Sequence, residues 1–123
     1  MKKKILIVDD NPDVVELLQV RLRANGYETL TALNGEEGVA HARKHRPDFI
    51  ILDIMMPEVD GPEVARRLQE DEHTKDIPYI FLTNIISQNE QQEFGGAGAN
   101  RIVAKLNDWS ALLVSIREYI EAR

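Results

Sequence analysis

Five short runs rich in apolar and β-forming residues, separated by segments of a different period, constrain this chain more than any other feature. They are Lys4 to Val8 (KILIV), Tyr27 to Leu33 (YETLTAL), Phe49 to Asp53 (FIILD), Ile77 to Thr83 (IPYIFLT) and Arg101 to Lys105 (RIVAK). An unbroken apolar run of this length reads as a strand covered on both faces rather than one. Between the runs the spacing turns helical. Asn11 is placed to cap, and Pro12 to occupy the first turn of, a helix on which Val14, Leu17, Leu18 and Leu22 recur until Gly26 ends it. Asn34, with Glu37 three residues on, resembles a capping box and opens a second helix that stops before Pro47. Asp60 with Glu63 caps a third, which carries Val64, Ala65 and Leu68 inward. A polar helix with few apolar anchors is expected from Ser87 to the FGGAGA stretch. Trp109, Leu112, Leu113, Ile116 and Ile120 make one apolar stripe on a final helix.

Strand and helix thus alternate five times with short links, which predicts an α/β fold with a doubly wound parallel sheet. In such sheets the working site lies at the carboxyl ends of the strands. The 123 residues, 43% hydrophobic and 29% charged, suit one soluble globular domain spanning 1–123, with no linker or repeat to suggest a second. No apolar run approaches a membrane span, and the basic tip before Ile5 leads into too short a stretch for a secretory signal, so the cytoplasm is the expected compartment. The absence of cysteine excludes disulfides and thiolate metal sites. A net charge of −6 argues against direct nucleic-acid binding. The basic cluster Arg43 to Pro47 reads as a solvated helix end.

Acids stand where that architecture concentrates chemistry. Asp9 and Asp10 end the first strand, Asp53 the third, Thr83 the fourth and Lys105 the fifth, so the fold would gather all five at one edge. Taken singly, each has a plainer role: an acid caps the next helix, a threonine makes a turn, a lysine is a surface charge. Taken together, three acids in one place need a cation or protons to offset their repulsion. Oxygen ligands without histidine or cysteine suit Mg2+ that keeps several waters. With Lys105 as a fixed positive charge and Thr83 as a hydroxyl donor, the group they could jointly stabilise is a phosphoryl group arriving on one of the acids.

The blocks ILIVDDNPD, ILDIMMPEVDG, IPYIFLT and RIVAK, in that order and spacing, resemble the receiver domain of two-component response regulators, the chemotaxis regulators among them, over essentially the whole chain. That resemblance implies a flavodoxin-like (βα)5 fold with strand order 2-1-3-4-5. It implies that Asp53 accepts a phosphoryl group from a phosphohistidine of a sensor kinase or histidine phosphotransfer protein. It further implies that Asp9, Asp10, Asp53 and the backbone carbonyl of Met55 hold Mg2+, and that Thr83 and Lys105 hold phosphoryl oxygens. The expected partners are that phosphodonor and a downstream protein or an effector domain outside this chain, with the receiver a monomer or a weak phosphorylation-dependent dimer. Such a domain assists only its own phosphorylation and dephosphorylation.

Three positions depart from the family pattern. Asn84 replaces the usual alanine after the threonine, Ile102 stands where an aromatic ring often reports phosphorylation, and Leu106 replaces the proline after the lysine. With no ring at 102, the expected moving part is the polar segment after Ser87. A metal-dependent phosphohydrolase is the enzyme alternative, but Met55 occupies the place where such an enzyme needs a second acid. A flavin or nucleotide binder would need a glycine- or hydroxyl-rich loop after the first strand, where this chain has DDNPD. A receiver that binds partners without phosphorylation is the third alternative.

Overall fold

The computed structural model describes residues 2–82, 101–103 and 109–121. Its five strands are β1 (Lys4–Val8), β2 (Glu28–Ala32), β3 (Phe49–Asp53), β4 (Tyr79–Leu82) and β5 (Arg101–Val103). The helices among the described residues are α1 (Pro12–Ala24), α2 (Gly35–His45), α3 (Gly61–Gln69) and α4 (Trp109–Glu121). All strand pairs are parallel and the order is β2-β1-β3-β4-β5, as expected. The polar segment after Ser87 lies outside the described residues.

The continuous apolar runs follow from the sheet being sandwiched. Successive side chains of a strand point to opposite faces, so a strand covered twice must be apolar at every position. Ile5, Ile7, Phe49, Ile51, Ile80 and Leu82 meet Val15, Leu18 and Leu22 of α1 and Leu112, Ile116 and Ile120 of α4. Leu6, Val8, Ile50, Leu52, Tyr79 and Phe81 face the other way, onto Ala42 of α2 and Val64, Ala65 and Leu68 of α3. Two cores therefore share one sheet.

Local signals set most of the boundaries. Asn11 Oδ1 accepts from the Asp13 N–H at 2.9 Å, with Pro12 at the first helical position, and α1 ends before a left-handed turn at Gly26 (φ 90°). Asn34 Oδ1 accepts from the Glu37 N–H at 2.8 Å, and Asp60 Oδ1 from the Glu63 N–H at 2.9 Å. Pro78, which has no N–H to give the ladder, precedes β4 and offers its carbonyl to Ile50 N–H at 3.0 Å.

Two expectations shift. On α1 the buried stripe is Val15, Leu18 and Leu22, with Val14 only partly buried and Leu17 40% exposed. Leu17 lies about 100° around the helix from Leu18, so both cannot face the sheet fully. The second run also ends a residue early: the strand closes at Ala32, and Leu33 is 45% exposed beyond the edge of the ladder.

Candidate functional site

Strand β1 delivers two acids just past its last residue, and β3 delivers one as its last residue. The Val8–Leu52 pair sets the two strands level, so Asp9, Asp10 and Asp53 emerge side by side. Each offers a carboxylate oxygen, and the three oxygens lie within 4.8 Å of one another. At that separation two ionised carboxylates repel by roughly 3.5 kcal/mol at an effective dielectric of 20.

Burial, and after it this repulsion, shows in the acids themselves. Asp53 is pushed up to about 7, first by burial and then by the charge of Asp9, against the lowering effect of the Met55 N–H; Asp10 raises it further. The Asp9 carboxyl is also raised, chiefly by burial, although the Asn11 N–H donates to its Oδ1 at 2.9 Å and favours the charged form. Asp9 is buried, Asp53 half-buried and Asp10 exposed. A mouth open on one side, a donor set made only of oxygens and charge in need of compensation fit a hard divalent cation such as Mg2+.

The loop after Asp53 is shaped by its backbone. The Met55 N–H points at Asp53 Oδ1 over a long 3.4 Å, while the Met55 side chain is 78% exposed. The Val59 N–H closes onto the Pro57 carbonyl at 2.8 Å, and Glu58 takes a left-handed φ of 68°. The Gly61 N–H donates to the Ile54 carbonyl at 2.9 Å. A Cβ on Gly61 would strike the Asp53 carbonyl oxygen and lie 2.9 Å from Ile54 Cα. Asp60 and Gly61 read in the sequence only as a cap and a helix start; their closeness to Asp53 is a tertiary fact with no local signal.

The structure thus brings together three of the five residues singled out from sequence. Thr83 and Lys105 lie outside the described residues, as do Asn84 and Leu106. Leu82, the residue before Thr83, stands opposite Asp53 in the β3–β4 ladder. Ile102 is in β5, paired with Phe81.

A family model for the response regulator receiver domain matches residues 5–117. The chain belongs to the response regulator receiver domain family. As a receiver of two-component signalling it is 33% identical over 120 residues to the polar-differentiation response regulator DivK of Brucella anthropi, covering 98% of each chain. The chemotaxis protein CheY4 of Vibrio cholerae superposes with a TM-score of 0.88 at 31% identity, covering 97% of this chain and 99% of that one. The receiver domain of the sensor histidine kinase PA1611 from Pseudomonas aeruginosa PAO1 superposes at 0.89 with 28% identity, covering 98% and 99%. In that receiver a magnesium ion is coordinated in the active-site cleft. No helix among the described residues of the present receiver is long and apolar enough to cross a membrane.

Proposed function

We propose that Asp53 of this receiver accepts a phosphoryl group from a phosphohistidine of a sensor kinase or histidine phosphotransfer protein, and that phosphorylation changes the face offered to a downstream partner. The observation that carries this reading is the convergence of Asp9, Asp10 and Asp53 at the carboxyl edge of the sheet. Asp53 ends a strand whose four preceding residues are fully enclosed, so its backbone has nowhere to move while its side chain remains accessible. A fixed nucleophile removes much of the orientational cost of transfer. In the step, a carboxylate oxygen of Asp53 forms the P–O bond as the P–N bond of the donor breaks. The imidazole nitrogen keeps that electron pair and takes up a proton.

Asp9, Asp10, Asp53 and the Met55 backbone carbonyl are the proposed Mg2+ ligands, and the coordination of magnesium in the PA1611 receiver supports that assignment. Bound Mg2+ would supply positive charge against the phosphoryl oxygens. Thr83 and Lys105 are the proposed donors to those oxygens. Residues 1–123 act as one receiver unit in the cytoplasm, a monomer or a weak phosphorylation-dependent dimer, turning over no external substrate. The exposed Met55 side chain counts against a phosphohydrolase, because no acid stands there to protonate a leaving group.

Incubation with Mg2+ and acetyl phosphate, followed by intact-mass analysis, tests the reading. One added phosphoryl group is expected on the native chain and none on Asp53→Ala. An adduct that persists in the variant overturns the assignment.

A further inference from the structure

The loop 54–60, which follows Asp53 and contains Met55, is gripped by two helices. At one end Gly61, the first residue of α3, sits against the Asp53 carbonyl. On the other side stands Gly35, the first residue of α2, a helix that contributes no residue to the acidic cluster. Gly35 is buried, and a Cβ placed on it would strike the Val59 carbonyl oxygen and lie 2.8 Å from both Cβ and Cγ1 of Val59. A carbonyl oxygen and a Cβ are fixed by the backbone, so no rotamer change clears them.

Either α2 or the loop must then give way, and α2 is braced. One turn along, a Cβ on Gly38 would lie 2.8 Å from Cγ1 of Val8, so the helix already seats directly on the strand that leads to Asp9. Val8 is β-branched and fully buried, and it cannot swing aside. The first turn is also tied by the bond from the Glu37 N–H to Asn34 Oδ1 and by the Gly38 N–H to the Asn34 carbonyl at 3.0 Å. With α2 braced on Val8, the displacement falls on the loop. Its turn at 57–59 includes the left-handed Glu58, and its ends are joined by the Gly61–Ile54 hydrogen bond, so a push at Val59 is passed along a closed ring toward Met55.

We infer that Gly35 is a positioning residue for the metal-binding edge: the bare Cα lets α2 seat against Val59 and fix the loop that presents the Met55 carbonyl. The inference rests on the ligand set proposed above. Groups that orient metal ligands from behind commonly change metal affinity by about 10- to 100-fold when altered.

The experiment measures, by intact mass, the Mg2+ concentration that gives half-maximal phosphorylation by acetyl phosphate, separately from the maximal rate. Gly35→Ala is expected to raise that concentration about 10-fold while the rate at saturating Mg2+ stays within about twofold. In Gly35→Ala with Val59→Ala, which removes Cγ1 from the crowded contact and leaves the carbonyl oxygen and Cβ of residue 59 in place, the shift should partly reverse. Leu22→Ala, in the opposite core, serves as a control that lowers stability alone and should leave the Mg2+ requirement unchanged. A Gly35→Ala variant with the native requirement overturns the inference, as does a Leu22→Ala variant shifted equally. Mg2+ titration calorimetry without a phosphodonor separates the two readings. If the native chain binds Mg2+ but takes up no phosphoryl group, the phosphoacceptor reading fails, while a weakened Mg2+ affinity in Gly35→Ala still supports the brace.

Discussion

Asp53 stands in register with Leu82 across the β3–β4 ladder, and Thr83 is the next residue of the chain. If the Thr83 hydroxyl donates to a phosphoryl oxygen on Asp53, its loss withdraws one donor from the charge that develops during transfer. Thr83→Ala is expected to slow phosphorylation by acetyl phosphate roughly 100-fold, with Mg2+ affinity unchanged. A time course by intact mass reads the rate, and a native rate in the variant would take Thr83 out of the site.

The acids make stability depend on pH in a stated direction. Asp53 titrates at about 7 in the folded chain against an ordinary value of 3.8, so the unfolded chain releases this proton first as pH rises. Without metal, the stability tied to this group is therefore fully present below about pH 4 and lost as pH rises through about 7. Asp9, also raised, acts in the same direction. Glu63 acts in a different window: hydrogen bonds from Arg66 and Arg67 hold it down to about 2, so its contribution is present above 4.5 and lost as pH falls through about 2. Melting temperatures from pH 4 to pH 8 in a chelator should fall toward neutrality, and Asp53→Asn should flatten that fall. At pH 7.5 and without metal the Asn variant should melt about 3 °C or more above the native chain.

Added Mg2+ should reverse the same loss, because a ligand that binds only the folded state stabilises it. Millimolar Mg2+ at neutral pH is expected to raise the melting temperature of the unphosphorylated chain. Asp10→Ala should abolish most of that rise. An undiminished response in this variant would place the ion away from the three carboxylates.

Asp60 caps α3 at the point where the loop from Asp53 enters the helix. Asp60→Ala should cost about 1 kcal/mol of stability. Because Gly61, its neighbour, is bonded to Ile54, the same variant should also weaken Mg2+ binding. Denaturant melts with and without Mg2+ separate the two effects: a cap that matters only to the helix would leave the Mg2+ increment at its native size.

The sequence made the sheet and the three acids legible for one reason. A parallel sheet sends the ends of its strands to the same side, so an acid after Val8 and another after Leu52 meet without any local sign that they should. The phase of α1 was harder, because Val14, Val15, Leu17 and Leu18 leave several helical stripes open and only the sheet selects Val15 with Leu18 and Leu22. The Asn34–Gly35 pair displays its capping function in the sequence and hides its second one. The contact of Gly35 with Val59 joins residues distant in the chain through a missing side chain, and an absence of atoms leaves no periodicity to read.

The division of each strand between two cores bears on how such a chain can diverge. A substitution at Ile51 disturbs packing against α1 and α4, and one at Ile50 or Leu52 disturbs packing against α2 and α3, so each face can drift in composition on its own. Length has no such freedom. One residue inserted within β3 would exchange the sets facing the two cores beyond it, carry Leu52 off the level of Val8 and move Asp53 away from Asp9. Insertions and deletions are therefore expected to accumulate at the edge of the sheet remote from the acids, where a longer link changes neither core nor the distance between the carboxylates.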